Sequence, residues 1–475
     1  MKLKLSILIA LIAVFIIIFT GHAMAQHEVI STVRVGLAPI SQAKVDVRVT
    51  EGSYQLIDGA TNLPITTLDK GVLLTTKKVG PNLKVFIEGK ELDTPYDGPV
   101  VLAAKGEGLH LFSYSNTVYR GDFVAVNMAE GVLPVNKIDV EEYLYGVVGQ
   151  EIGNYANMEA LRAQAVVCRS YALALKGARG NVDLGTDINS QVYRGFKPET
   201  ERVRQAVDDT KGQVILFDGQ VIQAYFHSNA GGYTENSENV WEQELPYIKA
   251  VTSPYDQYAA QFQPQVSDWP KVTYSWEKSF GREQIYSSIS QWNKMAQENR
   301  KMQPINVGSL QAISLSRLQS DGQSDTLSGR VTAITLRGDQ GASVVERDMI
   351  RKLFDLRSTK FDMVFDSSVT VLDGSGEQTR VNNLGGINVI GRDKISEEIN
   401  GNIDKVQLVG SNSTREVPKQ FSSVIFIGNG YGHGLGMSQW GARGMAEDGY
   451  KYDEIIQHYY NQGKDDGRLV IKKIY

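Results

Sequence analysis

Residues 149–175, GQEIGNYANMEALRAQAVVCRSYALAL, place the firmest demand on the fold. From Asn157 onward, Met158, Leu161, Ala165, Cys168, Ala172 and Leu175 recur at three- and four-residue steps, the spacing of one helical face. A second side carries Ala160, Ala163, Val167 and Ala174. Small residues let neighbouring backbone approach closely, so this helix is expected to be packed on most of its faces. Asn157 suits the N-cap, because its side chain can accept from the free amides of the first turn. Glu151 stands just before the helix and outside its period. A carboxylate at the edge of a buried helix is either a working acid or a local cap, and the pattern alone leaves both readings open.

Upstream, the chain reads as strands. Lys44-Val-Asp-Val-Arg-Val49 alternates strictly between polar and apolar. Lys84–Ile87 and Leu109–Tyr114 are similar, with turns at Asp58-Gly59, Lys70-Gly71 and Asp97-Gly98. A short helix capped by Asp139 is expected to lead into Glu151. Downstream, residues 200–209 read as a helix. Gly212–Phe217 and Gln220–Phe226 flank Asp218-Gly219, a strong hairpin signal. Residues 282–301 and 346–356 read as helical and 330–336 as a strand. Residues 366–420 turn polar and read as an inserted, partly mobile segment. Residues 438–447 and 453–462 close the chain as helices. The fold class this supports is α+β: a β-rich N-terminal lobe and a mixed α/β catalytic lobe.

The chain has 475 residues, 42% hydrophobic and 22% charged, enough for a large core and more than one lobe. Residues 1–25 read as an export signal: Lys2 and Lys4, an apolar run over residues 5–19 broken only by Ser6, and Ala23-Met24-Ala25 as a small-x-small cleavage site. The run is shorter than the roughly 20 residues that span a bilayer, so cleavage is the expectation and a membrane anchor the alternative. The formal charge is -5, and without Lys2 and Lys4 it becomes -5 - 2 = -7. An acidic chain has no general attraction for nucleic acid. The single cysteine, Cys168, allows no internal disulfide, and on the core side of a helix it reads as a small hydrophobe rather than a nucleophile.

Other residues with chemistry lie in two loops. His227 and Ser228–Thr234 follow the predicted hairpin. Five glycines alternate through residues 428–436, displaying His433, Ser438 and Gln439 beside them. The spacing is not that of a phosphate-binding loop, so the loop either faces a ligand or makes tight structural turns. A Ser438–His433 dyad lacks an orienting acid, and Ser438 fits better as the N-cap of the next helix. No cluster supplies the four ligands of a structural zinc, so no metal and no cofactor is expected, and His227 reads as a hydrogen-bonded pocket residue. Arg162 and Arg169 share one helical face, as a salt bridge, a solvated face or, for Arg169, a ligand-holding group.

Three blocks in order resemble the stage II sporulation protein D family (SpoIID/LytB). They are Glu151 with Glu159–Ala165 and Arg169–Leu173; Gln223–Thr234 with Val240-Trp241; and Gly430–Ala442. The likeness runs from about residue 33 to about residue 462, with one poor stretch. In relatives with cysteines in the middle block, the matching positions here are Asn229 and Ala230.

The resemblance implies cleavage of peptidoglycan between N-acetylmuramic acid and N-acetylglucosamine by a lytic transglycosylase, which forms a 1,6-anhydro product on strands stripped of peptides. An ordinary glycosidase needs two carboxylates; here the substrate's own C6 hydroxyl would be the nucleophile, so Glu151 alone would serve as acid and then base. That role needs a carboxyl group still protonated near neutrality. The implied substrate-binding residues are Arg169, Tyr171, His227, Ser228, Thr234, His433, Ser438 and Gln439. They would line a glycan-binding groove with Glu151. The alternative is a non-catalytic enhancer of a cell-wall amidase. Either way the expected location is the periplasm, cell envelope or exterior, and the expected partners are glycan strands and an amidase. The expected layout is a signal peptide (1–25), a β-rich part (26–140), a catalytic core (141–365, with helix 157–176), a polar insertion (366–420) and the glycine block with C-terminal helices (421–475).

Overall fold

The computed structural model describes residues 31–475 except 40, 179, 188–189, 262–273, 373–374, 383, 385–387, 391–395, 399–404 and 410–413. The export signal and the anchor alternative lie outside the described residues. Among those described, no helix is long and apolar enough to cross a membrane. Helices make up 23% and strands 38%, in several small sheets, so the class is α+β. The chain divides into two compact units. Of the described residues, the first holds those within 31–225 and 445–475 and the second those within 226–261 and 274–444.

The first unit begins with twelve strands: β1 (Thr32–Gly36), β2 (Lys44–Glu51), β3 (Ser53–Asp58), β4 (Leu63–Asp69), β5 (Leu73–Val79), β6 (Asn82–Ile87), β7 (Lys90–Glu91), β8 (Val100–Ala104), β9 (Leu111–Tyr114), β10 (Thr117–Arg120), β11 (Asp122–Met128) and β12 (Gly131–Asp139). They form two six-stranded sheets, ordered β1-β12-β11-β8-β3-β4 and β10-β9-β2-β5-β6-β7. The strict alternation of β2 has its physical cause here. Val45, Val47 and Val49 are buried while Lys44, Asp46 and Arg48 are exposed, because successive residues of a strand face opposite sides. Phe112 of β9 joins the sheets, meeting Tyr54 of β3 and Phe123 of β11 edge-on at 6.5 and 5.6 Å between ring centres.

Four helices follow: α1 (Val140–Tyr145), α2 (Val148–Ile152), α3 (Met158–Ala174) and α4 (Glu201–Asp209). Both expected caps are made. The Asp139 side chain accepts from the Glu141 amide at 2.9 Å, and Asn157 accepts from the Glu159 amide at 3.0 Å. Helix α3 is buried along almost its whole length, including Gln164, Arg169 and Ser170. The expected hairpin is short. The turn at Asp218-Gly219 has positive φ at both residues (49° and 79°), but only Gln220–Val221 pairs back. Gln213–Phe217 also pairs over its full length with Leu469–Lys473 on its other side, so it is the central strand of three, between the short hairpin return and the C-terminal strand.

The second unit has two three-stranded antiparallel sheets. In one, Ser423–Asn429 lies between Ser275–Gly281 and Phe361–Phe365. In the other, Ala333–Gly338 lies between Leu310–Ser316 and Gly341–Glu346. The helix Arg282–Glu298 turns Ile285, Ile289 and Trp292 into a core shared with Phe280, Phe354, Phe361 and Phe426. The described parts of residues 366–420 form three two-stranded hairpins.

Candidate functional site

Glu151, Arg169 and Tyr171 belong to the first unit; His227, Ser228, Thr234, His433, Ser438 and Gln439 belong to the second. Glu151 sits near the end of α2, which stops at Gly153 with φ at 89°. It is half-buried, and its Oε1 accepts the Val192 amide at 2.6 Å. The loop that supplies this amide is itself anchored. Gln191 donates to the Cys168 carbonyl at 3.3 Å and accepts the Tyr143 hydroxyl at 3.0 Å, while the Tyr193 hydroxyl donates to Asn136 at 2.9 Å. Burial pushes the Cys168 thiol well above its ordinary pKa, and the negative charge of Glu151 adds to that. The negative charge of Glu151 is thus felt on both helices, at the Cys168 thiol of α3 and the Tyr143 hydroxyl of α1, each already pushed up by burial.

Arg169 is fully buried and pairs with Glu141 of α1, its Nε donating at 2.9 Å. It also donates to the carbonyls of Gln213 and Val207 at 3.1 and 3.3 Å. Glu141 further accepts the Gly212 amide at 2.9 Å and the Tyr475 hydroxyl at 2.6 Å. Of the readings open for Arg169, this is the salt bridge, and it ties α1, α3 and the chain's end together. Tyr171 is buried against Tyr225, edge-on at 5.8 Å. Arg162, more exposed, bonds to Asp209 at 2.6 Å.

In the second unit, two strand fragments bring the middle and C-terminal blocks side by side. Phe226–His227 runs parallel to Met437–Ser438, with His227 opposite Ser438. His227 and His433 lie 5.4 Å apart, ring centre to ring centre, and both grip Leu435. His227 Nδ1 donates to the Leu435 carbonyl, and His433 Nδ1 accepts the Leu435 amide, each at 3.0 Å. Burial, reinforced by neighbouring cations, holds His227 well below its ordinary pKa and His433 down to about 4, so both rings are neutral. His227 Nε2 is buried with no hydrogen-bond partner among the described residues. Those residues hold no group of three His, Cys, Asp or Glu side chains placed to bind a metal.

The glycine loop explains its own composition. Gly432 and Gly434 have φ of 112° and 86°, and a Cβ on either would meet His227 Cβ at 2.8 Å or Arg330 Cζ at 2.5 Å. The close approach that glycine permits is made to the protein's own side chains. Ser438 caps the helix Gln439–Glu447, accepting the Gly441 amide at 3.1 Å. Gln439 is buried at the start of that helix, and the Ser228 backbone carbonyl accepts the Trp440 amide at 3.0 Å. Thr234 is buried, its hydroxyl accepting the Val251 amide at 2.8 Å.

Asp256 is the residue that sequence reasoning missed. It is fully buried, accepts the Ser438 hydroxyl, and accepts the Gly232 amide at 2.9 Å. Its carbonyl takes the Asn229 side chain at 3.0 Å. Burial pushes its pKa up, against the hydrogen bonds that lower it. One carboxylate thus fixes the loop after His227 to the start of the helix after the glycine block. Arg330, also buried, donates to the Ala230 carbonyl at 2.9 Å under the same loop. Neither carries a local signal; only Ser438 as an N-cap was legible.

A family model described as SpoIID, Stage II sporulation protein, matches residues 128–217, which span Glu151 and the whole of α3. This match and the relatives that follow support the SpoIID family for the chain. An uncharacterised protein of Brachyspira hyodysenteriae is 25% identical over 410 residues, covering 86% of this chain and 83% of that protein. The Amidase enhancer of Bacillus subtilis is 28% identical over 319 residues, 67% of this chain and 39% of the relative, so the likeness spans well under half of that protein. Stage II sporulation protein D of Bacillus subtilis is 25% identical over 344 residues, 69% of this chain and 74% of the relative.

Proposed function

We propose that this SpoIID-family chain acts on the cell wall and cleaves the glycan strand of peptidoglycan as a lytic transglycosylase, with Glu151 as acid and base. The observation that carries the reading is the placement of that side chain: a half-buried carboxylate just ahead of α3, held by the Val192 amide and close enough to the buried Cys168 for its charge to be felt there. In the first step the Glu151 carboxyl group protonates the oxygen that links N-acetylmuramic acid C1 to N-acetylglucosamine, and the C1–oxygen bond breaks. The muramic acid C6 hydroxyl then bonds to C1 and returns its proton to Glu151. No water is consumed, the enzyme ends as it began, and one carboxyl group suffices where hydrolysis needs two. We place the chain in the envelope or outside the cell, on the strength of the leader pattern in residues 1–25.

The test is product analysis on stripped glycan strands. Wild type is expected to release 1,6-anhydromuramyl products, and Glu151→Gln to lose at least about a hundredfold in rate. Equal rates in the two proteins would end the assignment. The Amidase enhancer among the relatives favours a second reading, in which the chain binds glycan and stimulates an amidase. Stimulation that survives Glu151→Gln, with no anhydro product from wild type, selects it.

A further inference from the structure

The one-turn helix α5 (Glu238–Trp241) ends on an indole that is 37% exposed and 4.8 Å, ring centre to ring centre, from the imidazole of His433. The helix stops because Glu242 turns to a φ of 71°, and Arg347 clamps the Glu242 carboxylate at 3.0 Å. An indole carries the largest apolar surface of any side chain, so keeping it partly in water forgoes burial that would stabilise the fold. Glu238 lies one turn earlier on the same face of α5. With Asn239 it forms one wall of a cleft of about 230 Å³, completed by Gln319, Ser320, Thr332 and Arg347 among others. A flat apolar ring is thus carried one helical turn from Glu238, which lines a polar cleft. A pyranose has the matching surface, with a patch of C–H on its face and hydroxyls on its edge.

We propose that Trp241 and this cleft form a sugar subsite of the second unit. The indole packs against the C–H face of one sugar of the glycan strand, and the cleft side chains take its hydroxyl and acetamido groups. This deepens the glycan-strand reading and rests on it. Trp241 sets affinity and register and takes no part in bond breaking.

The experiment measures binding of stripped glycan strands by co-sedimentation and by indole emission, using the full chain. Wild type is expected to bind. Trp241→Ala is expected to weaken binding roughly tenfold when measured well below its own thermal midpoint, where it is folded, with the saturated rate nearly unchanged. Trp241→Phe keeps a flat ring and is expected to bind within about threefold, yet to lose most of the glycan-dependent change in emission. Wild-type binding with Trp241→Ala within twofold of it would overturn the subsite alone. A wild type that binds no stripped glycan would overturn both the subsite and the glycan reading.

Discussion

The two units satisfy their buried polar groups in opposite ways. In the first, the deepest charges are matched: Arg169 and Glu141 are both buried and hydrogen-bonded to each other, and the remaining capacity of each goes to backbone and Tyr475. In the second, the buried ionisable groups lean on neutral partners. Asp256 is held by a serine hydroxyl and a glycine amide, Arg330 donates to a backbone carbonyl, and His227 and His433 share one leucine's peptide groups. In a matched pair each buried charge has its counterion inside the fold, so removing either partner strands the other. A buried group held by neutral partners has its protonation set by its surroundings, which makes that region sensitive to both substitution and pH.

The largest expected effect breaks the matched pair. Arg169→Ala leaves Glu141 buried without its cation and frees two carbonyls, which should cost about 3–5 kcal/mol. Urea unfolding followed by circular dichroism measures it. A loss below about 1 kcal/mol would show that the pair does not hold α1 to α3. Next comes Asp256→Ala, which strands the Ser438 hydroxyl and the Gly232 amide and should cost about 1–3 kcal/mol. Four of the five tryptophans, Trp241, Trp276, Trp292 and Trp440, belong to the second unit, so indole emission chiefly reports its unfolding. Asp256→Asn sharpens the comparison. Because the folded carboxyl pKa is raised, the wild type loses stability as pH climbs from the unfolded value, about 3.9, through the folded one. The asparagine variant should therefore gain on wild type between acid and neutral pH; a constant difference would refute the raised value.

What could be read in the sequence divides along the same line as range in the chain. Asp139, Asn157 and Ser438 cap helices that begin within a residue of them, and local spacing was enough to find all three. The Lys44–Val49 alternation and the period of α3 likewise report burial directly, because each residue's face is fixed by its neighbours. The partners of those elements are remote. Glu141 is 28 residues from Arg169, Asp256 is 182 from Ser438, and Gln213–Phe217 pairs with a strand at the chain's end. Asp256 sits in Pro254-Tyr-Asp-Gln257, where no period or motif marks a buried carboxylate. The glycine spacing was visible, but its cause, the packing of His227 and Arg330 beneath Gly432 and Gly434, is tertiary. Its position at the edge of a buried helix made Glu151 a candidate and family resemblance favoured the working role; the structure adds the Val192 amide that holds it.

The smallest effect concerns the histidine pair and needs its sign worked out. His433 has a folded pKa of about 4, below the unfolded value of about 6.5. Between these values the unfolded chain binds a proton that the folded chain refuses. Stability contributed by the neutral ring is complete above pH 6.5 and is lost as pH falls toward 4, at no more than about 1.4 kcal/mol per pH unit for one proton. His227, shifted in the same direction, adds to the slope. Protonation at His433 Nδ1 would also set an N–H against the Leu435 amide that it now accepts. His433→Gln keeps an acceptor for that amide and has no proton to gain. Its stability near pH 7.5 should fall by less than about 1 kcal/mol, while the acid slope, read by indole emission in urea, should become shallower by up to one proton. An unchanged slope would place the acid sensitivity of the second unit elsewhere, with His227 the next residue to substitute.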